Sequence, residues 1–401
     1  MKIAIVSQSY YPRPGGVTEH TYHTALELRK LGHTVEIFTA NFGTDPHADP
    51  CVTRLGRNIL VPHHGAWVNM TVGRKLPRQL ADAFRAFRPD IIHTHCPLVP
   101  TLPLMAIKAA PTGSAIVGTF HAAAESSPGY WLFQRPLSRF AGRIDTRIAV
   151  SESARELAHK YFPGRYVLVP NGIDHHRFNP QIEPFERFRD GAFNVLFVGR
   201  MDKRKGLKYL FRAMNTLART GSRRIRFIVV GENGLRRLLL PRLDGRIEIH
   251  FAGLVSRDIL PRFYASSDVF CSPAVEKESF GIVLLEAMAS GIPVVGTSIP
   301  GYLNLLEHRR NALVVPPRNP EALAGAVLEL LHDDLLRQKL RRSGLEFARP
   351  YSWDIVTARL ESVYRETLSR KAAGIPSVEV RPDADHTIQG HRQWANDLKS
   401  V

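Results

Sequence analysis

Glu278-Ser-Phe-Gly-Ile-Val-Leu-Leu-Glu286, continuing through Ala287-Met-Ala-Ser-Gly291-Ile-Pro293-Val-Val295, sets a helix directly before a buried strand. Ser279 and Gly281 suit a helix opening, the apolar run suits a helix buried on most sides, and Gly291-Ile-Pro293 ends it ahead of the Val-Val strand. A helix opening of this kind offers backbone N–H groups to an anion. Read as helical from Glu278 onward, eight residues at 1.5 Å rise set the two carboxylate-bearing backbones about 12 Å apart, beyond the roughly 5–9.5 Å of a hydrolase acid/base pair. The spacing predicts two separate roles for Glu278 and Glu286.

The alternation of helix and buried strand extends outward in both directions. Apolar runs predict strands at 3–6, 35–39, 90–93, 115–119, 147–150 and 166–169, and again at 194–198, 226–230, 248–251, 269–271, 293–295 and 312–315, with helical periodicity between them. That is the pattern of parallel sheets covered on both faces. Pro170-Asn171-Gly172 is a strong turn signal, so the expected organisation is two doubly wound, Rossmann-like α/β domains facing a cleft. The first spans 1–180 and the second 190–350, with a helix at 351–370 able to return to the first domain and a polar, disordered tail at 371–401.

With 401 residues, two or three domains of about 150 residues are expected, and 44% hydrophobic content is ordinary for a globular core. Cys51, Cys96 and Cys271 are too scattered for a disulfide framework or a zinc site, which fits a reducing compartment. The apolar opening Ile3-Ala-Ile-Val6 is too short for a signal peptide, and no run long enough to span a bilayer follows. A cytoplasmic location is expected, with attachment to the inner membrane surface left open. A formal charge of +17 calls for an anionic partner; nucleic acid, an anionic membrane and a phosphate-bearing substrate all satisfy it. Aromatic platforms for nucleic acid are not evident, and Arg223-Arg224-Ile-Arg226 reads as a solvated basic cluster.

Three groups carry chemistry. Gly15-Gly16 stands between the first strand and a helix, where glycine lets backbone amides approach a phosphate. Val198-Gly199-Arg200-Met-Asp202-Lys-Arg-Lys205-Gly206 follows the first strand of the second half, at the edge where doubly wound sheets bind ligands. Arg200 offers a rigid fork and Lys205 a mobile point charge, a pairing suited to a diphosphate. His121, closing Thr119-Phe120-His121, is either a structural histidine or one facing a sugar hydroxyl. Between Gly73 and Pro89, Leu76, Leu80, Ala83, Phe84 and Phe87 recur at helical spacing beside Arg74, Lys75 and Arg78, with Trp67 upstream. This reads either as a surface helix packed on its sheet or as a peripheral anchor to anionic membrane.

Together these residues resemble the retaining glycosyltransferases of family four, which have the GT-B fold, over about residues 1–370, and the chain is similar to the lipid-mannosylating bacterial members. The resemblance rests on Glu278 and Glu286 within their motif, the Gly199–Gly206 run, Pro170-Asn-Gly-Ile-Asp174, the amino-terminal Pro-Gly-Gly-Val and Thr-Phe-His. It implies a hexosyltransferase that is metal-independent and needs no cofactor, whose donor is a nucleoside diphosphate sugar, either GDP-mannose or a UDP-hexose, and whose acceptor is a lipid or glycan. Arg200 and Lys205 would hold the diphosphate, with Gly15 and Gly16 adding amides. Glu278 and the Ser279-Phe280-Gly281-Ile282 backbone would hold the sugar, Glu286 the ribose, and His121 the sugar and acceptor side. Val255-Ser256-Arg257 would lie by the nucleobase. Two departures stand out: Ala122-Ala123-Ala124 replaces small hydroxyl residues, and the loop His63–Asn69 replaces the residues expected to read the acceptor headgroup.

Overall fold

A computed structural model describes residues 1–13, 15–42, 49–63, 66–220, 224–231 and 247–375. The chain forms two compact units, one of Met1–Gly172 with the segment from Trp353 onward, the other of Ile173–Ser352.

In the first unit a parallel seven-stranded sheet runs β3 (Val52–Leu55), β2 (Thr34–Ala40), β1 (Lys2–Ser7), β6 (Ile91–His95), β7 (Ala115–Phe120), β8 (Thr146–Ala149), β9 (Tyr166–Leu168). β6 and β7 are buried along their whole length and β1 from Ile3 on, as expected of strands covered on both faces by helices. The covering helices are α1 (Gly16–Lys30), α2 (Leu76–Phe87), α3 (Leu102–Ala109), α4 (Pro128–Ala141) and α5 (Glu152–Tyr161). The stretch expected to be a loop at 63–69 belongs mostly to an antiparallel hairpin of β4 (Arg57–His63) and β5 (Ala66–Val72). Its register sets Val61 opposite Val68 and Ile59 opposite Met70, while residues 64–65 lie outside the described residues.

α2 buries Leu76, Leu80 and Phe84 completely, in one cluster with Ala4, Val6, Phe38 and Ile92. The apolar stripe considered as a membrane anchor is therefore spent on the sheet, and Arg74, Lys75 and Arg78 remain as an exposed basic surface. The side chain of Trp67 lies outside the described residues. The last helix, α12 (Trp353–Ala372), packs in this first unit. His33 Nε2 lies 3.0 Å from Glu361, the hydroxyls of Thr146 and Thr367 meet at 2.8 Å, and Lys371 pairs with Asp145 at 2.8 Å. The tail beyond 375 lies outside the described residues.

In the second unit a parallel six-stranded sheet runs β12 (Glu248–Gly253), β11 (Ile225–Val230), β10 (Phe193–Val198), β13 (Val269–Ser272), β14 (Val294–Thr297), β15 (Leu313–Val315). Its helices are α6 (Leu207–Thr220), α7 (Leu260–Ala265), α8 (Ile282–Ala289), α9 (Pro300–Leu303), α10 (Pro320–His332) and α11 (Asp334–Ala348). Arg226 corrects the reading of its cluster as solvated: it is 2% exposed on β11. Asp190 lies 3.0 Å from its guanidinium, as does Glu248, and Asn194 at 3.1 Å, the pairing that a buried cation requires.

Both sheets share one wiring. β1 sits between β2 and β6, and β10 between β11 and β13, so the strand order reverses beside the first strand of each unit. Ligands of doubly wound sheets bind beyond the carboxyl ends of the strands at such switch points. Gly15-Gly16 follows β1, and Gly199-Arg200 follows β10.

Candidate functional site

The second unit gathers its chemistry at the carboxyl edge of β10 and β13. Gly199 has φ 152°, and a Cβ on the neighbouring Gly231 would stand 2.0 Å from the Gly199 carbonyl oxygen, so glycine is required where β10 and β11 end. The chain then turns at Asp202, whose carboxylate accepts from the amides of Arg204 and Lys205 and from the Arg204 guanidinium at 2.7 Å. Burial raises the Asp202 pKa, but the Arg204 hydrogen bond and the charges of Arg204 and Arg200 outweigh it, and the net shift is downward. Asp202 thus stays ionised and anchors the turn that carries the basic residues. Gly206, at φ 68°, closes the turn against the Pro273 carbonyl.

Lys205 extends from this turn to Glu278, with Nζ 3.0 Å from both carboxylate oxygens; the two side chains are 14% and 11% exposed. Arg200 is 54% exposed, 3.7 Å from Asp202, and so is accessible to a ligand. The structure thus brings Lys205 and Glu278 into direct contact and keeps Arg200 on the same turn.

The helix expected from Glu278 begins only at Ile282. Gly281 stands before it at φ 86° in the left-handed region, and the Tyr302 ring lies 2.8 Å from where its Cβ would be, so 278–280 cannot continue the helix backward. A Cβ on Gly301 would in turn meet the Glu278 carbonyl oxygen at 1.7 Å. The Glu278–Phe280 segment is thereby clamped by α9, and the first-turn amides of α8 open beside it. Phe280 is a core residue, 1% exposed. Glu286, one turn into α8 and 9% exposed, accepts a hydrogen bond from Tyr264 Oη at 2.7 Å. Burial and the Glu286 charge push the Tyr264 pKa well above its ordinary value, so the phenol keeps its proton and remains a donor. Glu278 and Glu286 therefore occupy different surroundings, an ion pair and a tyrosine-held carboxylate. The sequence reading did not identify Tyr264, Ser272 or Tyr302; the last two meet through their hydroxyls at 2.7 Å beneath the motif. Val255-Ser256-Arg257 follows β12 at the sheet edge, where the Ser256 carbonyl starts a turn and the Arg257 carbonyl accepts from Arg177 at 2.7 Å.

In the first unit, Gly15 and Gly16 open α1, and a Cβ on either would meet nothing within 4 Å. The backbone there faces open space rather than its own fold. His121, after β7, does not stand alone. Its Nε2 lies 2.9 Å from His95 Nδ1, and the ring of His20 meets both at 5.1 Å. His20 Nδ1 is held by Asn171 at 2.8 Å, and His93 lies 2.6 Å from the Tyr364 hydroxyl and 2.7 Å from that of Thr119. Trp353 closes the group, edge-on to His20 and stacked on His23. Burial, reinforced by neighbouring imidazoles, lowers the His20 pKa to about 4 and that of His93 to about 3, and holds His95 and His121 well below the ordinary value. All four rings are neutral at pH 7, so each offers a donor and an acceptor rather than a charge. Among the described residues, no group of three or more His, Cys, Asp or Glu is disposed to hold a metal ion. A cavity of about 920 Å³, lined by Asp145, Arg147, Arg165, Arg359, Glu366 and Arg370, lies at the amino ends of β8 and β9, the edge of the sheet opposite His121.

Residues 14–177 match the family model described as Glycosyltransferase Family 4, and residues 192–333 that described as Glycosyl transferases group 1. The chain is 31% identical to phosphatidyl-myo-inositol mannosyltransferase of Mycobacterium leprae over 94% of this chain and 99% of that protein. It is 32% identical to the enzyme of the same name from Mycolicibacterium smegmatis, over 94% and 95%. Among solved structures, a glycosyltransferase from Rickettsia africae aligns with a TM-score of 0.71 at 20% identity, covering 92% of this chain and 99% of that one. Anabaena HepE in complex with UDP aligns with 0.71 at 19%, covering 91% and 100%. At such identities the structures speak for the fold alone.

Proposed function

The chain belongs to glycosyltransferase family 4 and has the GT-B fold; from that premise we propose that it moves mannose from GDP-mannose to a hydroxyl of a lipid acceptor at the inner membrane surface, with retention of configuration. The observation that carries the reading is the Lys205–Glu278 pair at 3.0 Å beside the opening of α8, with Arg200 exposed on the same turn. A diphosphate is the ligand suited to that set. It would take the Lys205 ammonium from Glu278, accept the Arg200 fork, and leave the Glu278 carboxylate to the hydroxyls of the sugar. Glu286 would hold the ribose. The relatives named as phosphatidyl-myo-inositol mannosyltransferases, matched over nearly their full length, favour mannose and a lipid acceptor.

Charge builds on the departing diphosphate as the anomeric C–O bond breaks, so Arg200, Lys205 and the helix amides stabilise the transition state more than the bound donor. Without a carboxylate assigned as nucleophile on the opposite sugar face, the acceptor hydroxyl attacks from the leaving-group side and passes its proton to the departing phosphate oxygen. His121, neutral and tied to His95, orients a sugar or acceptor hydroxyl by hydrogen bonding. No step needs a metal, and turnover is expected to persist in a chelator.

The test is turnover of GDP-mannose, UDP-glucose and UDP-N-acetylglucosamine against a lipid extract, with the product anomer resolved by NMR. Mannose transfer with the donor's configuration kept is expected. Turnover of a UDP sugar alone would overturn the donor assignment, and an inverted linkage would overturn same-face attack.

A further inference from the structure

α4 carries an apolar surface left exposed among the described residues. Its core-facing stripe is already filled: Leu137 and Ala141 are buried, Tyr130 packs its ring on Phe162 at 5.1 Å, and Gln134 donates to the Tyr161 carbonyl at 2.8 Å. Beside that stripe, Trp131, Leu132 and Phe133 are 71%, 65% and 53% exposed. Phe133 departs from helical geometry at φ −107°, ψ 16°, three residues before Pro136, whose missing N–H cannot bond the Leu132 carbonyl. The helix is thus kinked at the residues that carry the exposed apolar side chains. Arg135 and Arg139 follow Trp131 at intervals of four residues, both exposed, as is Arg143 just past the end, and Pro128–Ala141 contains no carboxylate.

From this arrangement we infer that the outer face of α4 docks on an anionic lipid bilayer, with Trp131, Leu132 and Phe133 entering the interface and Arg135 and Arg139 meeting the headgroups. At about 5.4 Å per turn, Arg135 and Arg139 stand about one and two turns along the helix from Trp131, beside the apolar residues, where headgroup phosphates flank side chains that enter by about 5–10 Å. Charge selects the occupant: a chain of net charge +17 repels its own copies and is drawn to an anionic surface. Size selects it too, because three side chains of about 150–250 Å² each fall short of the about 800 Å² per partner that a stable protein interface buries.

The inference deepens the proposed function by locating its membrane face. α4 follows β7 and His121 in the chain, and Trp131 lies in the first turn, near the carboxyl edge of the first sheet. Docking there brings the edge that carries His121 toward the lipid phase, where a lipid acceptor resides. α2 buries Leu76, Leu80 and Phe84 in the core of its own unit and leaves its basic residues exposed.

The full chain is mixed with vesicles of equimolar phosphatidylglycerol and phosphatidylcholine, or of phosphatidylcholine alone, and bound protein is measured by co-sedimentation with no donor or acceptor present. Binding to the anionic vesicles that weakens with salt is expected, and Trp131→Ala/Leu132→Ala/Phe133→Ala should weaken it by about tenfold or more. Arg135→Glu/Arg139→Glu should remove the salt-sensitive part. A triple variant that binds as tightly as wild type overturns the inference, as does wild-type protein indifferent to anionic vesicles, or a wild-type dimer that the triple variant converts to monomer. Transfer to a detergent-dispersed lipid acceptor separates the two readings. Its absence in wild-type protein that still binds vesicles defeats the glycosyl-transfer reading and leaves the docking face standing.

Discussion

Replacing Lys205 by Met leaves the Glu278 carboxylate, 11% exposed, with no ammonium 3.0 Å away. Breaking a fully buried pair costs about 3–5 kcal/mol. Both partners here keep a little solvent contact, which lowers the expected loss to about 2–3 kcal/mol. Urea denaturation followed by circular dichroism reads that loss for the second unit. Turnover should fall separately, by about two orders of magnitude, the usual consequence of removing one donor to a developing anion. The double variant Lys205→Met/Glu278→Leu distinguishes the effects: with no orphaned carboxylate it should recover most of the stability while remaining slow. A single variant as stable and as fast as wild type would refute the reasoning, and so would a double variant no more stable than the single one.

Gly206→Ala should lower stability by at least about 2 kcal/mol, because φ is 68° and the new Cβ would lie 1.8 Å from the Pro273 carbonyl oxygen; the urea midpoint reads this. Gly325→Ala, inside α10 with nothing within 4 Å of the new Cβ, should instead stabilise by about 0.5–1 kcal/mol. The buried histidines make the first unit acid-sensitive. Their folded pKa values lie below the ordinary 6.5, so the unfolded chain binds protons first as pH falls. Stability is then complete above about pH 6.5 and declines toward pH 4 and 3, the values for His20 and His93, at about 1.4 kcal/mol per pH unit for each group. Thermal melting from pH 7 to 4 checks this, and His20→Asn should flatten the slope.

The sheets were legible because each strand is a short apolar run flanked by turn residues, as Ile3–Val6 and Val195–Val198 are. Their order was not, since register and neighbour choice depend on which helices cross over. The hairpin of β4 and β5 escaped because His63 to Asn69 interleaves polar and apolar residues around Gly65, a pattern that also suits a loop. In the site, Arg200, Lys205 and Glu278 could be read from type and spacing, but the start of α8 could not, because it depends on the left-handed φ of Gly281 and on the Tyr302 ring, twenty-one residues later, that leaves no room for a Cβ there. The histidine cluster joins α1, β6, β7 and α12; His93-Thr-His95, alternating on one strand, was its one local signal. Trp131-Leu132-Phe133 resembles a core helix turn until the neighbouring stripe is seen to be filled.

The central claim is that the turn after β10 grips the leaving diphosphate, and initial transfer rates of Arg200→Ala at saturating donor test it most directly. A fall of about a hundredfold or more, with the fold intact by circular dichroism, is the predicted result. A rate near that of the wild type would contradict the account.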